Sequence, residues 1–307
     1  MHRGLYIFTH VGFMIKYDVR AAGAARRLES AVLVVGVGAG AHGARAILTY
    51  LDSPHRAPIA SRTVRRRAGQ SLVSAVSDGV SALHSVASKL ALQVGHSAIA
   101  YRVSEDADAI TAHGDARPSA LVHETDAQLR YLRFTGTVPN HGSTVVCDMG
   151  STGMTASVVD LAGGETVTAR RTSTFCGDDL DHLIRRHLAS NGVRIGVDRS
   201  RLLKEQLGIG GVVNAHNADG PGHHVLTRKD FEDMIAGPVR YATMVVDQTI
   251  ELSGVKPSSI VLVGGGANVS SIGASFERHI GLRTHVPDRP ELVSARGAAL
   301  LSVDQQG

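Results

Sequence analysis

The sequence contains few aromatic residues and no tryptophan. Six Phe and six Tyr are spread over 307 residues, so the chain offers few rings on which the bases of a nucleic acid could stack. The densest basic run, residues 62–67, has no aromatic residue within it, and the formal net charge is only +4. Acidic and basic residues therefore mix over the surface, and we expect no nucleic acid among the partners.

Cysteine is equally scarce, with Cys147 and Cys176 as the only two in the sequence. Their positions show neither the CxxC spacing of a redox motif nor the spacing of a metal site. Two unrelated cysteines are typical of a reducing compartment, where thiols stay free. We therefore expect two free thiols that play no part in a disulfide framework.

Long apolar runs are also absent. The apolar stretch near the amino terminus, residues 5–15, includes Thr9 and His10 and is shorter than the ~18 residues that span a bilayer. Charged residues follow before any small-residue cleavage site of a signal peptide. We expect a cytoplasmic protein without a membrane span, whose start is either Met1 or Met14.

Apolar residues are nevertheless numerous enough for a large core, since they make up 43% of the sequence. A chain of this length is about twice a usual domain, which predicts two lobes. We expect an N-terminal extension at residues 1–30, for which disorder is one alternative. A shortened first lobe is then expected at residues 31–140, and a second lobe at residues 141–307.

Three short β-branched runs end abruptly in small residues and glycine. They lie at residues 32–43, 144–153 and 260–267, and each predicts a buried strand followed by a turn. A turn without Cβ atoms exposes consecutive backbone N–H groups, so a phosphate or a sugar can approach it closely. The three turns are candidate binding sites for such groups.

Helical patterns lie between these runs. Residues 71–92 and 178–190 carry apolar residues at helical spacing. A third helix is predicted to begin after Thr227, whose hydroxyl caps it, and to be kinked or divided at Pro238. Strands that alternate with helices predict an α/β layered fold.

The polar, glycine-rich residues 214–224 predict a surface loop, and their histidines lack the further ligands that a metal site needs.

Several segments follow one another in the order of a known family. They are LVHETDAQLRYL with STVVCDMGSTGMTASVVD, FCGDDLDHLIRRHL, RLLKEQLG, LTRKDFEDMI, SGVKPSSIVLVGGGANVSSI and PELVSARGAALL. Together they resemble the nucleotide-binding domain of the seventy-kilodalton heat-shock chaperones, in the actin-like ATPase superfamily. The resemblance covers residues 32–301, is strongest after Leu121, and implies a ribonuclease H-like α/β fold with two lobes around a nucleotide cleft.

The resemblance also implies roles for individual residues. Glu124 matches the glutamate that orients the attacking water, and Asp148 matches an aspartate beside a hydrated magnesium ion. The implied cofactor is ATP or ADP with magnesium, although an empty site is an alternative. Nucleotide-binding positions are implied in the first phosphate loop at Gly40, Ala41 and His42, in the second at Gly150, Ser151, Thr152 and Gly153, and on the adenosine side at Lys204, Gly264, Gly265, Gly266 and Asn268.

Departures from the family pattern fall on the residues that organise catalysis. The spacing between Gly38 and Glu124 is shorter than in the family, so we expect the small subdomain that carries the catalytic lysine to be deleted. The loss of positioned acids and bases slows phosphoryl transfer. Nucleotide binding is affected less, because the backbone N–H donors of the glycine loops do not depend on the side chains. We expect at most a weak ATPase. The substituted positions are Gly38 and Thr155 for aspartates, Ala41 and His42 for threonines, Asn268 for arginine and Arg201 for glutamate.

Two alternatives stay open. Gly38, Gly40 and Gly43 form the GxGxxG pattern of an NAD-dependent oxidoreductase, but that fingerprint needs a helix after the third glycine. Residues 44–51 and 59–65 predict the two strands of a hairpin there instead.

The other alternative is a non-enzymatic scaffold or interaction module with a vestigial site and an unknown protein partner. Because the chain ends at Gly307, soon after the last matching segment, we expect no peptide-binding domain.

Overall fold

A computed structural model describes residues 5–8, 14–17, 32–67, 69–113, 118, 120–217 and 220–303. The strands are β1 (Leu5–Phe8), β2 (Met14–Tyr17), β3 (Leu33–Gly40), β4 (Gly43–Tyr50), β5 (Ala60–Arg65), β6 (Val94–Tyr101), β7 (Ala120–His123), β8 (Ser143–Met149), β9 (Met154–Asp160), β10 (Thr166–Thr172), β11 (Val212–His216), β12 (His223–Thr227), β13 (Ser259–Val263) and β14 (Arg283–His285). The α-helices are α1 (Leu72–Lys89), α2 (Ser104–His113), α3 (Glu124–Phe134), α4 (Gly177–Ser190), α5 (Val197–Gly210), α6 (Arg228–Ser253), α7 (Ser270–Ile280) and α8 (Val293–Leu301). Two short 3₁₀ helices span Gly265–Asn268 and Pro290–Leu292.

The described residues form a mixed α/β structure in two compact units. One unit holds Met1–Thr135 together with Leu292–Gly307, and the other holds Gly136–Glu291. Each contains a five-stranded mixed sheet, so the α/β class is confirmed. The carboxyl-terminal helix α8 groups with the first unit, whereas the sequence placed that segment in the second lobe. Such a long-range packing has no local sequence pattern.

The sheet of the first unit has the strand order β5-β4-β3-β6-β7. Its strands β3, β4 and β5 pair antiparallel, and β6 and β7 continue the sheet in parallel. Helix α1 covers one face with buried side chains that include Val76, Val80 and Leu83. Helix α8 lies so close to β3 that a Cβ at Gly36 would overlap the carbonyl oxygen of Ala295. Glycine is therefore required where these two elements meet.

The sheet of the second unit repeats this topology in the order β10-β9-β8-β13-β14. Strands β8, β9 and β10 form the antiparallel part, and β13 and β14 add the parallel part. Helices α4 and α6 bury apolar residues against this sheet, among them Leu180, Ile184, Ile235 and Val246. In both five-stranded sheets, a three-stranded antiparallel meander is therefore followed along the chain by two parallel strands that come after helical connections.

The helices that the sequence predicted are present, with one correction. The Thr227 side chain accepts from the backbone N–H of Asp230, and the Asp230 carboxylate accepts from the Thr227 backbone, which is the expected capping box. Helix α6 nevertheless runs as one element from Arg228 to Ser253, through Pro238. Of the two outcomes expected at Pro238, a kink or a division, the division is wrong. Ile235 and Val239 on either side of Pro238 are both buried, and tertiary packing of this kind stabilises one continuous helix.

The expected surface loop at residues 214–224 is wrong at its two ends. Residues 214–216 and 223–224 belong to the antiparallel hairpin β11–β12, in which His216 lies opposite His223. Val213, Ala215 and Leu226 are buried on one face of this hairpin. Their packing against the core stabilises two strands that the polar composition of the segment did not predict. His224 lies on the same face and contacts His187 of α4, with 3.3 Å between their Nε2 atoms.

The amino-terminal segment is described only at β1 and β2, which pair antiparallel. The rest of the extension expected at residues 1–30 lies outside the described residues. Over the part of the chain that the structure covers, no helix combines the length and apolarity that crossing a membrane requires.

Candidate functional site

The turn between β8 and β9 is the centre of the candidate site in the second unit. The N–H of Gly150 donates to the carbonyl of Gly153 over 2.9 Å and closes the turn. The start of α4 also stabilises the turn, because the N–H groups of Gly177 and Asp178 donate to the carbonyls of Gly150 and Ser151, each over 3.0 Å. The predicted second phosphate loop is therefore a tight turn anchored on a helix.

The glycine turn after β13 lies against this first turn. Gly264 has a φ of 82°, and a Cβ there would lie 2.5 Å from Oδ1 of Asp148 and 2.7 Å from the carbonyl oxygen of Met149. A Cβ at Gly266 would lie 2.7 Å from Cβ of Met149. Both the backbone conformation and the space require glycine. The predicted adenosine loop therefore lies against Asp148 and Met149, the two residues directly before the predicted second phosphate loop.

Both turns present unused backbone donors. Within the described residues, five N–H groups of these turns find no acceptor, namely those of Ser151, Thr152, Gly153, Gly265 and Gly266. Consecutive free N–H groups in a glycine turn form a concave positive surface that binds anions. The arrangement can therefore accept phosphate oxygens at the first turn and a polar group of a nucleoside at the second.

Lys204 lies beside the first turn but is engaged in an ion-pair cluster. Its Nζ donates to the carbonyl of Gly177 over 2.9 Å and lies 2.6 Å from Oδ1 of Asp181. That second contact is an ion pair outside hydrogen-bond geometry. Arg201 binds the other carboxylate oxygen of Asp181 and also Asp178, each over 3.2 Å. Asp181 is buried, so both cations compensate a charge that would otherwise be costly. Lys204 fixes the start of α4 in this arrangement.

Asn268 closes the outer side of the glycine turn. Its Nδ2 donates to the carbonyl of Gly265 over 3.4 Å and to Oε2 of Glu291 over 3.0 Å. Burial acts to raise the pKa of Glu291, but hydrogen bonds from Asn268 and from backbone, together with the hydrogen bond and charge of Arg289, outweigh it. The pKa of Glu291 therefore lies below its usual value. The ionised carboxylate holds Asn268 against the turn.

Asp148 lies at the end of β8, directly opposite Thr155 on β9. The adjacent thiol of Cys147 is fully buried, and burial with the charge of Asp148 raises its pKa. Among the described residues, no group of three or more His, Cys, Asp or Glu side chains is placed to hold a metal ion. A single carboxylate suits a hydrated magnesium ion, which keeps several waters.

Glu124 lies in the first unit, at the first position of α3. Its Oε2 accepts from Nε of Arg102 over 3.1 Å, and its Oε1 accepts from the hydroxyl of Ser294 over 3.2 Å. Its side chain is 13% exposed. Ser294 also borders Gly38, since a Cβ at Gly38 would lie 3.3 Å from Cβ of Ser294. The first glycine strand and Glu124 therefore meet at Ser294.

The predicted first phosphate loop is a two-residue hairpin turn at Ala41 and His42, between Gly40 and Gly43. Arg66 holds this turn, because its Nη1 donates to the carbonyl of Ala41 over 3.2 Å and its N–H donates to that of His42 over 2.9 Å. The third glycine of GxGxxG opens strand β4 rather than a helix. The site therefore lacks the helix N-terminus on which a dinucleotide fingerprint depends.

Sequence reasoning missed the partners of the predicted residues. Asp181, Glu291, Ser294 and Arg102 hold Lys204, Asn268 and Glu124, but their contacts join distant positions. Glu124 and Ser294, for example, are 170 residues apart. Arg171, whose guanidinium lies on the first turn, was missed because exposed β10 has no recognisable pattern. No family model matches the chain.

Proposed function

We propose that this protein is a chaperone-like member of the actin-like ATPase superfamily that binds ATP or ADP and hydrolyses ATP weakly or not at all. The repeated strand order of the two units supports a two-lobed fold of this kind. The sequence resemblance supplies the family. The five free N–H groups of the two neighbouring glycine turns are the donors that would bind the nucleotide.

The position of the turn at Gly264 against Met149, directly before the turn at residues 150–153, carries the proposal. A phosphate oxygen on the N–H groups of Ser151 to Gly153 leaves the attached nucleoside close to the turn at Gly264. Backbone donors bind without depending on side-chain identity, so this part of the site survives substitution. Asp148, which borders Gly264 and lies two residues before Gly150, is the residue that would hold a hydrated magnesium ion beside the phosphates.

Weak hydrolysis follows from the residues that stand where the resembling family has acids. Fast phosphoryl transfer needs several charges positioned around the phosphoryl group, the metal and the water. Thr155 and Gly38 supply no charge at two positions where the resembling family has aspartates. Each missing acid costs roughly a hundred- to ten-thousandfold in rate. Glu124, to which the resemblance gives the role of orienting water, has its carboxylate engaged by Arg102 and Ser294.

A glycine substitution with a matched control tests the proposal. Gly264→Ala adds a Cβ that meets Asp148 and Met149, and it strains a positive φ. Gly281→Ala strains a similar φ of 75°, but nothing lies within 4 Å of the new Cβ. Titration calorimetry with ATP, ADP and NAD, with and without magnesium, measures binding. Thermal unfolding shows that both variants fold.

The wild type should bind ATP and ADP more tightly with magnesium, with a Kd below about 1 mM. Gly264→Ala should weaken this binding at least about tenfold, a loss of about 1.4 kcal/mol, and Gly281→Ala should not. Absence of ATP and ADP binding at millimolar concentration would favour the scaffold alternative. Binding of NAD alone would favour the oxidoreductase alternative.

A further inference from the structure

Arg171 on strand β10 places its guanidinium on the turn between β8 and β9. Its Nη2 donates to the hydroxyl of Thr152 over 3.0 Å, and its Nη1 donates to the hydroxyl of Thr155 over 3.4 Å. A Cβ at Gly153 would lie 2.9 Å from Cζ of Arg171. The guanidinium therefore packs directly on the backbone of the turn.

The sheet register explains this position. Asp148 faces Thr155 across β8 and β9, and Thr155 faces Arg171 across β9 and β10. Side chains at facing positions of neighbouring strands lie on the same side of a sheet. The row Asp148–Thr155–Arg171 thus runs across three strands, with an acid at one end and a cation at the other. Neighbouring Arg170 points to the opposite side, where it donates to Gln248 of α6 over 3.0 Å.

We propose that Arg171 binds the polyphosphate chain of the nucleotide, an inference that rests on the proposed function. A guanidinium presents a planar fork of donors that matches phosphate oxygens bidentately. The hydroxyls of Thr152 and Thr155 accept from two of its nitrogens, beside the free N–H groups of Ser151 and Gly153. A phosphate oxygen that reaches those N–H groups lies within reach of the fork. The turn supplies partial charges, and Arg171 supplies a full positive charge.

The experiment compares ligands that differ in phosphate content. Titration calorimetry measures the binding of adenosine, ADP, ATP and inorganic tripolyphosphate to wild type, Arg171→Gln, Arg171→Lys and Arg170→Gln. Arg170→Gln is the matched control, because it removes the same charge from the adjacent residue on the other side of the sheet. Thermal unfolding confirms that all four proteins are folded.

Arg171→Gln should weaken ATP, ADP and tripolyphosphate binding about ten- to a hundredfold, because a charged hydrogen-bonding group is lost. Adenosine binding should not change. Arg171→Lys keeps the charge without the fork and should give an intermediate loss, and Arg170→Gln should match the wild type.

Three results would overturn the inference. If the wild type binds ATP and Arg171→Gln binds it equally well, Arg171 is not a phosphate ligand, although the proposed function stands. If Arg171→Gln weakens adenosine as much as ATP, the residue only supports the turn. If the wild type binds no nucleotide, the proposed function fails and the inference fails with it.

Discussion

Thr155 and Asp148 occupy directly facing positions on the antiparallel strands β9 and β8. Facing residues in such a pair have Cβ atoms about 4.5–5.5 Å apart. A carboxylate at position 155 would therefore stand beside the one at position 148. Two carboxylates at that distance bind a cation together or repel each other. Threonine at position 155 leaves Asp148 as the one acid of this facing pair.

An acid at position 155 should raise turnover. Thr155→Asp should increase kcat about ten- to a hundredfold without tightening ATP binding, because the added charge organises metal and water in the transition state. Steady-state ATPase assays and calorimetry measure the two quantities. Since Arg171 would pair with the new carboxylate, Thr155→Asp is also made with Arg171→Gln. Equal gains in affinity and turnover would contradict this assignment.

The contact between β3 and α8 predicts a large loss of stability. Gly36→Ala places a Cβ on the carbonyl oxygen of Ala295, so β3 and α8 must separate, at a cost of about 1–3 kcal/mol in the free energy of unfolding. Gly79→Ala in α1 is the control, because its Cβ would lie 3.4 Å from Cβ of Ala46, an ordinary contact. Denaturant unfolding followed by circular dichroism compares them. An equally stable Gly36→Ala protein would disprove the close packing.

The Glu291–Asn268 contact predicts a pH dependence. The folded-state pKa of Glu291 lies below its usual value, so this group stabilises the fold above its unfolded-state pKa near 4.5. That stabilisation is lost as the pH falls through the lower folded-state pKa. The difference in unfolding free energy between wild type and Glu291→Gln should shrink between about pH 6 and pH 3. A difference that is constant with pH would show that the charge of Glu291 contributes nothing.

Both thiols should react slowly in the native protein. Burial raises the pKa of the Cys147 thiol and also that of the Cys176 thiol. Since the thiolate is the reactive form, a raised pKa slows the reaction. Labelling with a chromogenic disulfide reagent at neutral pH should be slow for the native chain and should reach two thiols per chain only after unfolding. Rapid labelling of native Cys147, identified by mass spectrometry, would contradict its burial.

The sequence predicted the elements that have a strong local pattern. Strands β3, β8 and β13 are apolar runs that end in glycine, and the capping box at Thr227 marks the start of α6. Strand β10 escaped prediction because most of its side chains are exposed. The hairpin β11–β12 escaped because its polar residues alternate with only a few buried ones.

The candidate site was predictable as a set of loops but not as an arrangement. Glycine spacing identified the turns at residues 150–153 and 264–266, but their contact depends on the parallel pairing of β8 with β13, more than a hundred residues later. The position of Arg171 likewise depends on the register of β9 with β10. The ion pair of Lys204 with Asp181 arises where α5 meets α4. Such contacts follow from tertiary packing, which short sequence patterns do not encode.

A single-turnover assay tests the central claim most directly. Wild-type protein in excess is mixed with radiolabelled ATP and magnesium, and protein-bound ATP and newly formed ADP are measured over time. We expect bound nucleotide that stays largely ATP, with a hydrolysis rate at least about a hundredfold below that of a heat-shock chaperone ATPase domain measured in parallel. Hydrolysis within about tenfold of that domain would contradict the weakened catalyst. Failure to bind ATP at millimolar protein would contradict nucleotide binding.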